Sequence, residues 1–274
     1  MYNGIYQPAK NMSPFFDVIR KPLSTEFQGG VLDVEKDVLL APNGNVLGFV
    51  SRDYNIVKNE DVAALFDEYF SGIKIHSVKD MVSVSGEKWM REYVLDEDGY
   101  TVSIGNDDTI KTKVVICNGY DAKTSVGLAI SAWRQVCSNG MMGWKRMIGT
   151  TFGHFLSDII NKLQSKIDTG FIEMKKNFGV WEMWTEESFN QKDFNEFVES
   201  RKFLSDKKKE KISGLYEPVM NKYKEQETRW GAYNVLTAIA THHIESRNKD
   251  VAKEFSNGYR EMVRVTKDFW NYEK

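Results

Sequence analysis

The sequence has few of the features that mark secreted, disulfide-stabilised or membrane-spanning proteins. Its 274 residues include two cysteines, Cys117 and Cys137, which in a chain of this size are typical of reduced thiols rather than of a disulfide framework. The first 20 residues lack the basic head and apolar stretch of a signal peptide, and no run of about 18 apolar residues occurs. We therefore expect a cytoplasmic protein with no membrane partner.

Proline is also scarce, and its placement bears on the fold. The five prolines are Pro8, Pro14, Pro22, Pro42 and Pro218. Residues 43–217 therefore contain no proline, which breaks helices and central strands, so we predict long uninterrupted elements there. We predict a loop-rich segment over the N-terminal 45 residues. Hydrophobic residues make up 41% of the chain, which is enough for a substantial core.

Signatures of catalysis, metal binding and nucleotide hydrolysis are missing as well. None of the HExxH, CxxC, Walker, GxGxxG or GxSxG strings is present. The four histidines, which have no carboxylate pair at ligand spacing, are His76, His154, His242 and His243. We expect no metal and no cofactor, assign no catalytic residue, and favour a protein that is not an enzyme. An enzyme with an unfamiliar site stays open.

The hydrophobic period changes near residue 150, which predicts an α+β fold. A short amphipathic helix at residues 60–70 is followed by six β-like runs between residues 73 and 133, separated by clusters of Gly, Asn and Asp. The later helical patterns cover residues 150–174, interrupted at Gly170, then 189–204, 206–224, 229–246 and 248–271. We predict an antiparallel β-sheet in the N-terminal half and a mainly helical C-terminal half. The division falls at residues 1–149 and 150–274, as two regions or one continuous domain.

Charge is segregated along the chain. Residues 110–147 hold six basic residues and one acid, a net charge of +5, whereas residues 31–108 hold seven basic and sixteen acidic residues, a net charge of -9. Aromatic residues are interleaved with the cations of the basic segment, a pattern that suits a groove for single-stranded nucleic acid because cations hold phosphates and rings stack on bases. The candidate nucleic-acid-binding residues are Lys111, Lys113, Tyr120, Lys123, Arg134, Trp144, Lys145 and Arg146. The alternative is structural: Lys111 and Lys113 alternate with apolar neighbours as on an ordinary solvated face of a sheet, and Trp133 lies in the core.

Three blocks of sequence resemble the phage- and plasmid-like proteins of a large domain-of-unknown-function family. The blocks are SRDYNIVKNE at Ser51–Glu60, NGYD at Asn118–Asp121 with RQVCSNGM at Arg134–Met141, and WGAYNVLT at Trp230–Thr237. Gly119 stands where that pattern has a serine. The resemblance implies a mobile-element origin and a bacterial host cytoplasm, and it supplies no activity.

The shared residues also have a structural interpretation. Asn118 and Asp121 flank a turn in which their side chains can satisfy loop backbone groups, and Asn139 can do the same after the next strand. Arg134 can pair with Asp121 and lock the hairpin. The functional alternative is that Arg134, Asn139 and Lys123 converge on a phosphate or another small anion. The motif residues assigned to structure are Asn118, Asp121, Cys137, Asn139, Trp230 and Asn234.

Two hypotheses of function follow. The leading one is a phage or mobile-element accessory protein that binds nucleic acid, expected to be single-stranded DNA, in recombination or single-strand annealing. A homo-oligomer is expected, because annealing proteins commonly form rings. The alternative is a host-interaction protein that inhibits a bacterial defence or restriction factor through the acidic surface formed by residues 31–108.

Overall fold

The chain forms an α+β fold, with antiparallel strands in the N-terminal half and helices in the C-terminal half, as predicted. A computed structural model describes residues 6–8, 13–104, 108–134, 148–154, 158–242 and 257–273. The strands are β1 (Tyr6–Pro8), β2 (Ile19–Phe27), β3 (Gly30–Leu40), β4 (Val46–Ser51), β5 (Ile75–Ser83), β6 (Lys88–Leu95), β7 (Thr101–Ile104), β8 (Asp108–Gly119), β9 (Val126–Arg134) and β10 (Ile148–Phe152). The helices are α1 (Asn59–Tyr69), α2 (Ile159–Glu186), α3 (Gln191–Glu199), α4 (Asp206–Gly214), α5 (Tyr216–Tyr223), α6 (Arg229–His242) and α7 (Asn257–Trp270).

The larger sheet has seven strands in the order β1-β5-β6-β8-β9-β10, and β7 also pairs with β8. Its two faces differ because side chains alternate along a strand. One face, which we call the core face, carries the fully buried Val82, Trp89, Tyr93 and Val114. Helix α1 lies against it, with the ring of Phe66 centred 6.3 Å from that of Tyr93. The opposite face, which we call the polar face, carries the lysines described below.

The smaller sheet has three strands in the order β2-β3-β4. The segment predicted to be loop-rich therefore contains two long strands, β2 and β3. Most of this hairpin is exposed on both faces, so its sequence shows no alternation of buried and exposed positions. Only the end of β3, together with β4, contributes to a small core, in which Leu39, Leu47 and Val50 pack with Tyr54 and Tyr120.

Two helical predictions differ from the structure. Helix α2 runs without a break for 28 residues through Gly170, because the apolar side chains on its buried face outweigh the roughly 1 kcal/mol by which one glycine weakens a helix. The single helix predicted at residues 206–224 is two helices, α4 and α5, that meet at Leu215. Pro218 explains the separation. It lies in the first turn of α5, where backbone N–H groups make no hydrogen bond within the helix, so a residue without an N–H group is tolerated there.

The chain divides into two compact units that are interleaved along the sequence. The first comprises Met1–Tyr100, Thr112–Ile130 and Met147–Ile172, and the second comprises Thr101–Lys111, Ser131–Arg146 and Glu173–Lys274. The predicted boundary between residues 149 and 150 stays a prediction. Among the described helices, none combines the length and the hydropathy needed to cross a membrane.

Candidate functional site

The first unit places three lysines on the polar face of the larger sheet. Lys113 on β8 lies opposite Val94 on β6, while Lys79 on β5 lies opposite Glu92 on β6. Because paired residues of antiparallel strands project to the same side, these residues share a face with Lys88, which lies opposite Gly119. The polar face therefore carries three cations and one carboxylate on three neighbouring strands.

The three lysines differ in exposure and pairing. The Lys113 side chain is 9% exposed, and its Nζ lies 2.7 Å from Glu92 Oε1. Lys88 Nζ lies 3.5 Å from Asp121 Oδ2 in a similarly sheltered position. Lys79 is exposed and has no ion-pair partner within the described part of the chain. Two lysines are therefore fixed by carboxylates and one is free to contact a ligand.

The turn after β8 adds a fourth lysine to this surface. Asp121 Oδ1 accepts hydrogen bonds from the backbone N–H groups of Lys123 at 3.0 Å and Thr124 at 2.7 Å. Burial raises the pKa of Asp121, but these N–H groups and Lys88 outweigh it, so the pKa stays below its ordinary value. Asp121 thus satisfies two backbone N–H groups of the turn. Its cationic partner among the described residues is Lys88, and Lys123 is exposed at the tip of the turn.

Tyr120 lies in the core of the first unit and presents no ring to solvent. It is 1% exposed and packs in the small core formed with the three-stranded sheet. Its hydroxyl oxygen accepts a hydrogen bond from the Asn59 N–H group at 2.9 Å. Burial raises the pKa of Tyr120 to about 12. A buried ring with an engaged hydroxyl cannot stack on a base, so the surface defined here excludes it.

Asn118 joins two of the sequence blocks through a fully buried set of hydrogen bonds. Its Nδ2 donates to the Val57 carbonyl at 2.7 Å and to Asn59 Oδ1 at 2.9 Å, while its Oδ1 accepts from the Gly119 N–H group at 2.9 Å. Asn59 Nδ2 donates in turn to the carbonyl of Pro14 at 2.9 Å. Asn118 is therefore held by partners that lie about 60 residues earlier in the chain.

Tyr54, from the first sequence block, also contacts the turn after β8. Its hydroxyl donates to the Gly119 carbonyl at 3.1 Å, and its own carbonyl accepts from the Arg20 guanidinium. The backbone approach here is close: a Cβ on Gly48 would overlap the carbonyl oxygen of Tyr120, and a Cβ on Gly119 would overlap the side chain of Thr124. A serine at position 119 would therefore not fit this chain without movement.

His154 packs beside Tyr54 and the turn after β8, and sequence reasoning assigned it no role. It is 4% exposed, and its ring stacks on Tyr54 with centroids 4.7 Å apart. Nδ1 lies 3.1 Å from the Asn55 carbonyl oxygen and Nε2 lies 3.2 Å from the Thr124 carbonyl oxygen. A neutral imidazole carries one N–H, so it donates to only one of these oxygens. Burial lowers the pKa of His154 and outweighs the carbonyl groups and Asp121, which raise it.

The third sequence block lies in an aromatic core of the second unit. The Trp230 ring is centred 5.4 Å from Trp181 and 5.9 Å from Tyr233. Asn234 is buried, and its Nδ2 donates to Glu225 Oε2 at 3.2 Å. These contacts place Trp230 and Asn234 in the interior of the second unit.

The remaining predicted residues divide between the second unit and the part of the chain outside the described residues. In the second unit, Lys111 Nζ lies 6.0 Å from the centroid of the Trp133 ring. The Arg134 side chain and the residues Cys137, Asn139, Trp144, Lys145 and Arg146 lie outside the described residues. In the described ranges, no group of three or more His, Cys, Asp or Glu side chains is arranged to hold a metal ion.

Comparison with known proteins identifies a family but no relative of known activity. The family model of a domain of unknown function, DUF932, matches residues 46–262, which include all three sequence blocks. No curated protein and no solved structure gives a significant match.

Proposed function

The chain belongs to the DUF932 family, and we propose that it binds single-stranded DNA as an accessory protein of a phage or mobile element, in recombination or annealing. The observation that carries this proposal is the grouping of Lys79, Lys88 and Lys113 on the polar face with Lys123 in the adjoining turn. All four belong to the first unit.

The two exposed lysines supply the affinity in this proposal. Lys79 and Lys123 have no carboxylate within ion-pair distance among the described residues, so each is available to a phosphate. Lys88 and Lys113 are sheltered and already paired with Asp121 and Glu92, so their contribution is to hold the local potential positive. The four lysines and two carboxylates leave a net charge of +2. Such a surface attracts a phosphate backbone without reading sequence.

The accessible part of the polar face is at β5 and at the turn after β8. Lys79 and Lys123 are exposed there, whereas Lys113 and Cys117 on β8 and Gly127 on β9 are buried. A nucleic-acid strand would therefore be held by contact of these exposed lysines with phosphates rather than by insertion of bases.

The test is a fluorescence anisotropy titration with a dye-labelled oligo(dT) of about 30 nucleotides, repeated over salt concentrations from about 20 to 200 mM. Each phosphate contact on a single strand contributes about -0.7 to the slope of log K against log salt. We expect the charge-reversing pair Lys79→Glu and Lys123→Glu to weaken binding and to make the slope less steep by roughly 1.4.

The matched control is Lys162→Glu, which reverses an exposed lysine on α2, a helix of the same unit that is not part of the sheet. It should leave both affinity and slope unchanged. A dissociation constant weaker than about 10 μM for the unmodified chain at low salt would overturn the proposal, since non-specific binders reach that range.

The alternative, inhibition of a host factor through an acidic surface, is less well supported by the geometry. Several acids of residues 31–108 are engaged by cations of the same chain: Asp37 pairs with Arg20, and Asp67 and Asp80 both pair with Arg91. Paired carboxylates present less free negative charge to a partner. Pull-down from host lysate separates the two hypotheses, because one protein partner that survives nuclease treatment would favour inhibition.

A further inference from the structure

The second unit contains a cationic cleft between the α3–α4 connection and helix α7. It is an open cavity of about 490 Å³ lined by Ser200, Arg201, Lys202, Phe203, Arg264 and Asp268. None of these residues belongs to the polar face, and sequence reasoning assigned none of them a role. The lining holds three cations and one carboxylate, a net charge of +2.

Arg201 is the fixed part of the cleft. Its Nη1 lies 3.2 Å from Asp268 Oδ2, its Nη2 donates to Ser200 Oγ at 2.8 Å, and its guanidinium lies 4.5 Å from the centroid of the Phe197 ring. Asp268 is therefore engaged by Arg201. The carboxylate offsets the charge of that arginine and leaves Lys202 and Arg264 uncompensated within the lining.

Arg264 is held in position without being neutralised. Its guanidinium carbon lies 4.0 Å from the centroid of the Phe203 ring, which is the geometry of a cation–π contact. A guanidinium stacked on a ring keeps the N–H groups at its edge available, and that planar set of donors matches two oxygens of a phosphate. Neither Arg264 nor Lys202 has an ion-pair partner among the described residues, and both are exposed.

We propose that this cleft binds a phosphate group. The pair of unengaged cations matches the double negative charge of a phosphomonoester, and the cavity has room for the organic group that carries the phosphate. The phosphate belongs either to a free nucleotide or to the end of a nucleic-acid strand, which share this chemistry. The inference is independent of the polar face.

The test is isothermal titration calorimetry of the whole chain with four ligands. They are inorganic pyrophosphate, ADP, and two short oligonucleotides of the same sequence, one with a 5′-phosphate and one with a 5′-hydroxyl. We expect Lys202→Glu combined with Arg264→Glu to weaken pyrophosphate binding by about tenfold or more. Arg264→Lys alone should give a smaller loss, because it keeps the charge and removes the planar pair of donors.

Controls show whether a loss of pyrophosphate binding comes from the cleft, from a folding defect or from the proposed DNA-binding surface. Lys176→Glu reverses an exposed lysine on α2 of the same unit and should not change pyrophosphate binding. The double variant Lys79→Glu with Lys123→Glu should also bind pyrophosphate as tightly as the unmodified chain does. Far-UV circular dichroism checks folding of each variant, and both altered side chains in the cleft are exposed, so loss of fold is not expected.

The ligands distinguish the two sources of phosphate. Binding of ADP without preference between the oligonucleotides supports a nucleotide site. Tighter binding of the 5′-phosphorylated strand, lost in the cleft variant, supports a site for strand ends. Equal pyrophosphate affinity in the cleft variant and the unmodified chain would overturn the proposal, as would the absence of binding at millimolar pyrophosphate.

Discussion

Replacing Asn118 with alanine should destabilise the first unit more than a typical buried substitution does. The change leaves three buried groups without their partner: the Val57 carbonyl, Asn59 Oδ1 and the Gly119 N–H. An unsatisfied buried polar group costs about 1–3 kcal/mol, so the three together should remove at least about 3 kcal/mol. Because a domain of this kind has roughly 5–15 kcal/mol of stability in total, the loss is a large share of it.

Urea unfolding followed by far-UV circular dichroism measures this loss, and hydrogen exchange of peptides covering residues 51–60 and 116–124 locates it. Asn161→Ala is the matched control, because Asn161 is an exposed asparagine of the same unit that donates one side-chain hydrogen bond. It should change the free energy of unfolding by less than about 0.5 kcal/mol.

A double-mutant cycle with Asn59→Ala tests the mechanism. Asn118 and Asn59 share one hydrogen bond at 2.9 Å, so the double variant should lose about 1 kcal/mol less than the two single losses combined. A loss below about 1 kcal/mol for Asn118→Ala, or strictly additive losses in the cycle, would refute the idea that this network holds the turn.

Three further predictions follow from the same unit. Gly48→Ala should lower the midpoint of thermal unfolding, because the added Cβ would overlap the carbonyl of Tyr120, whereas Gly72→Ala has open space and should be neutral. The free energy of unfolding should fall as pH drops below about 6.5, because burial lowers the folded pKa of His154; its contribution is complete above the unfolded value and is lost on acidification, and His154→Gln should flatten that pH profile. Arg91→Met should cost about 1–3 kcal/mol in urea unfolding, since it removes the cation that binds the half-buried Asp80 carboxylate and the exposed Asp67 carboxylate; an unchanged midpoint would contradict this.

Secondary structure was predictable from the sequence where the spacing of hydrophobic residues matches the pattern of buried side chains. Helix α1 was predicted at residues 60–70 and lies at Asn59–Tyr69, because its apolar residues face the sheet at helical spacing. The β2–β3 hairpin was missed for the opposite reason. Its exposed strands have no buried face to impose alternation, and Pro22 within β2 pointed to a loop.

The turn after β8 was predictable in part. The local hydrogen bonds of Asn118 and Asp121 to backbone N–H groups follow from residue type and position in a turn. The partners that hold the turn, Tyr54, Asn59 and His154, come from positions 30 to 65 residues away and leave no local pattern. The one signal available was the resemblance, since Tyr54 and Asn59 belong to its first block.

The positions of the shared residues bear on where activity resides. Side chains of the first and second blocks hold one buried turn, and Trp230 and Asn234 of the third lie in an aromatic core. Residues buried in this way explain a common fold, and they present no side chain to solvent. Ligand contacts must therefore come from exposed side chains.

This separation makes the two kinds of variant distinguishable by measurement. Asn118→Ala should lower the free energy of unfolding and leave the salt dependence of DNA binding unchanged at temperatures where the protein is folded. Lys79→Glu with Lys123→Glu should do the reverse, because both side chains are exposed and outside the network. If the buried variant instead changed the salt slope while the lysine pair did not, the phosphate contacts would have to be sought away from the polar face.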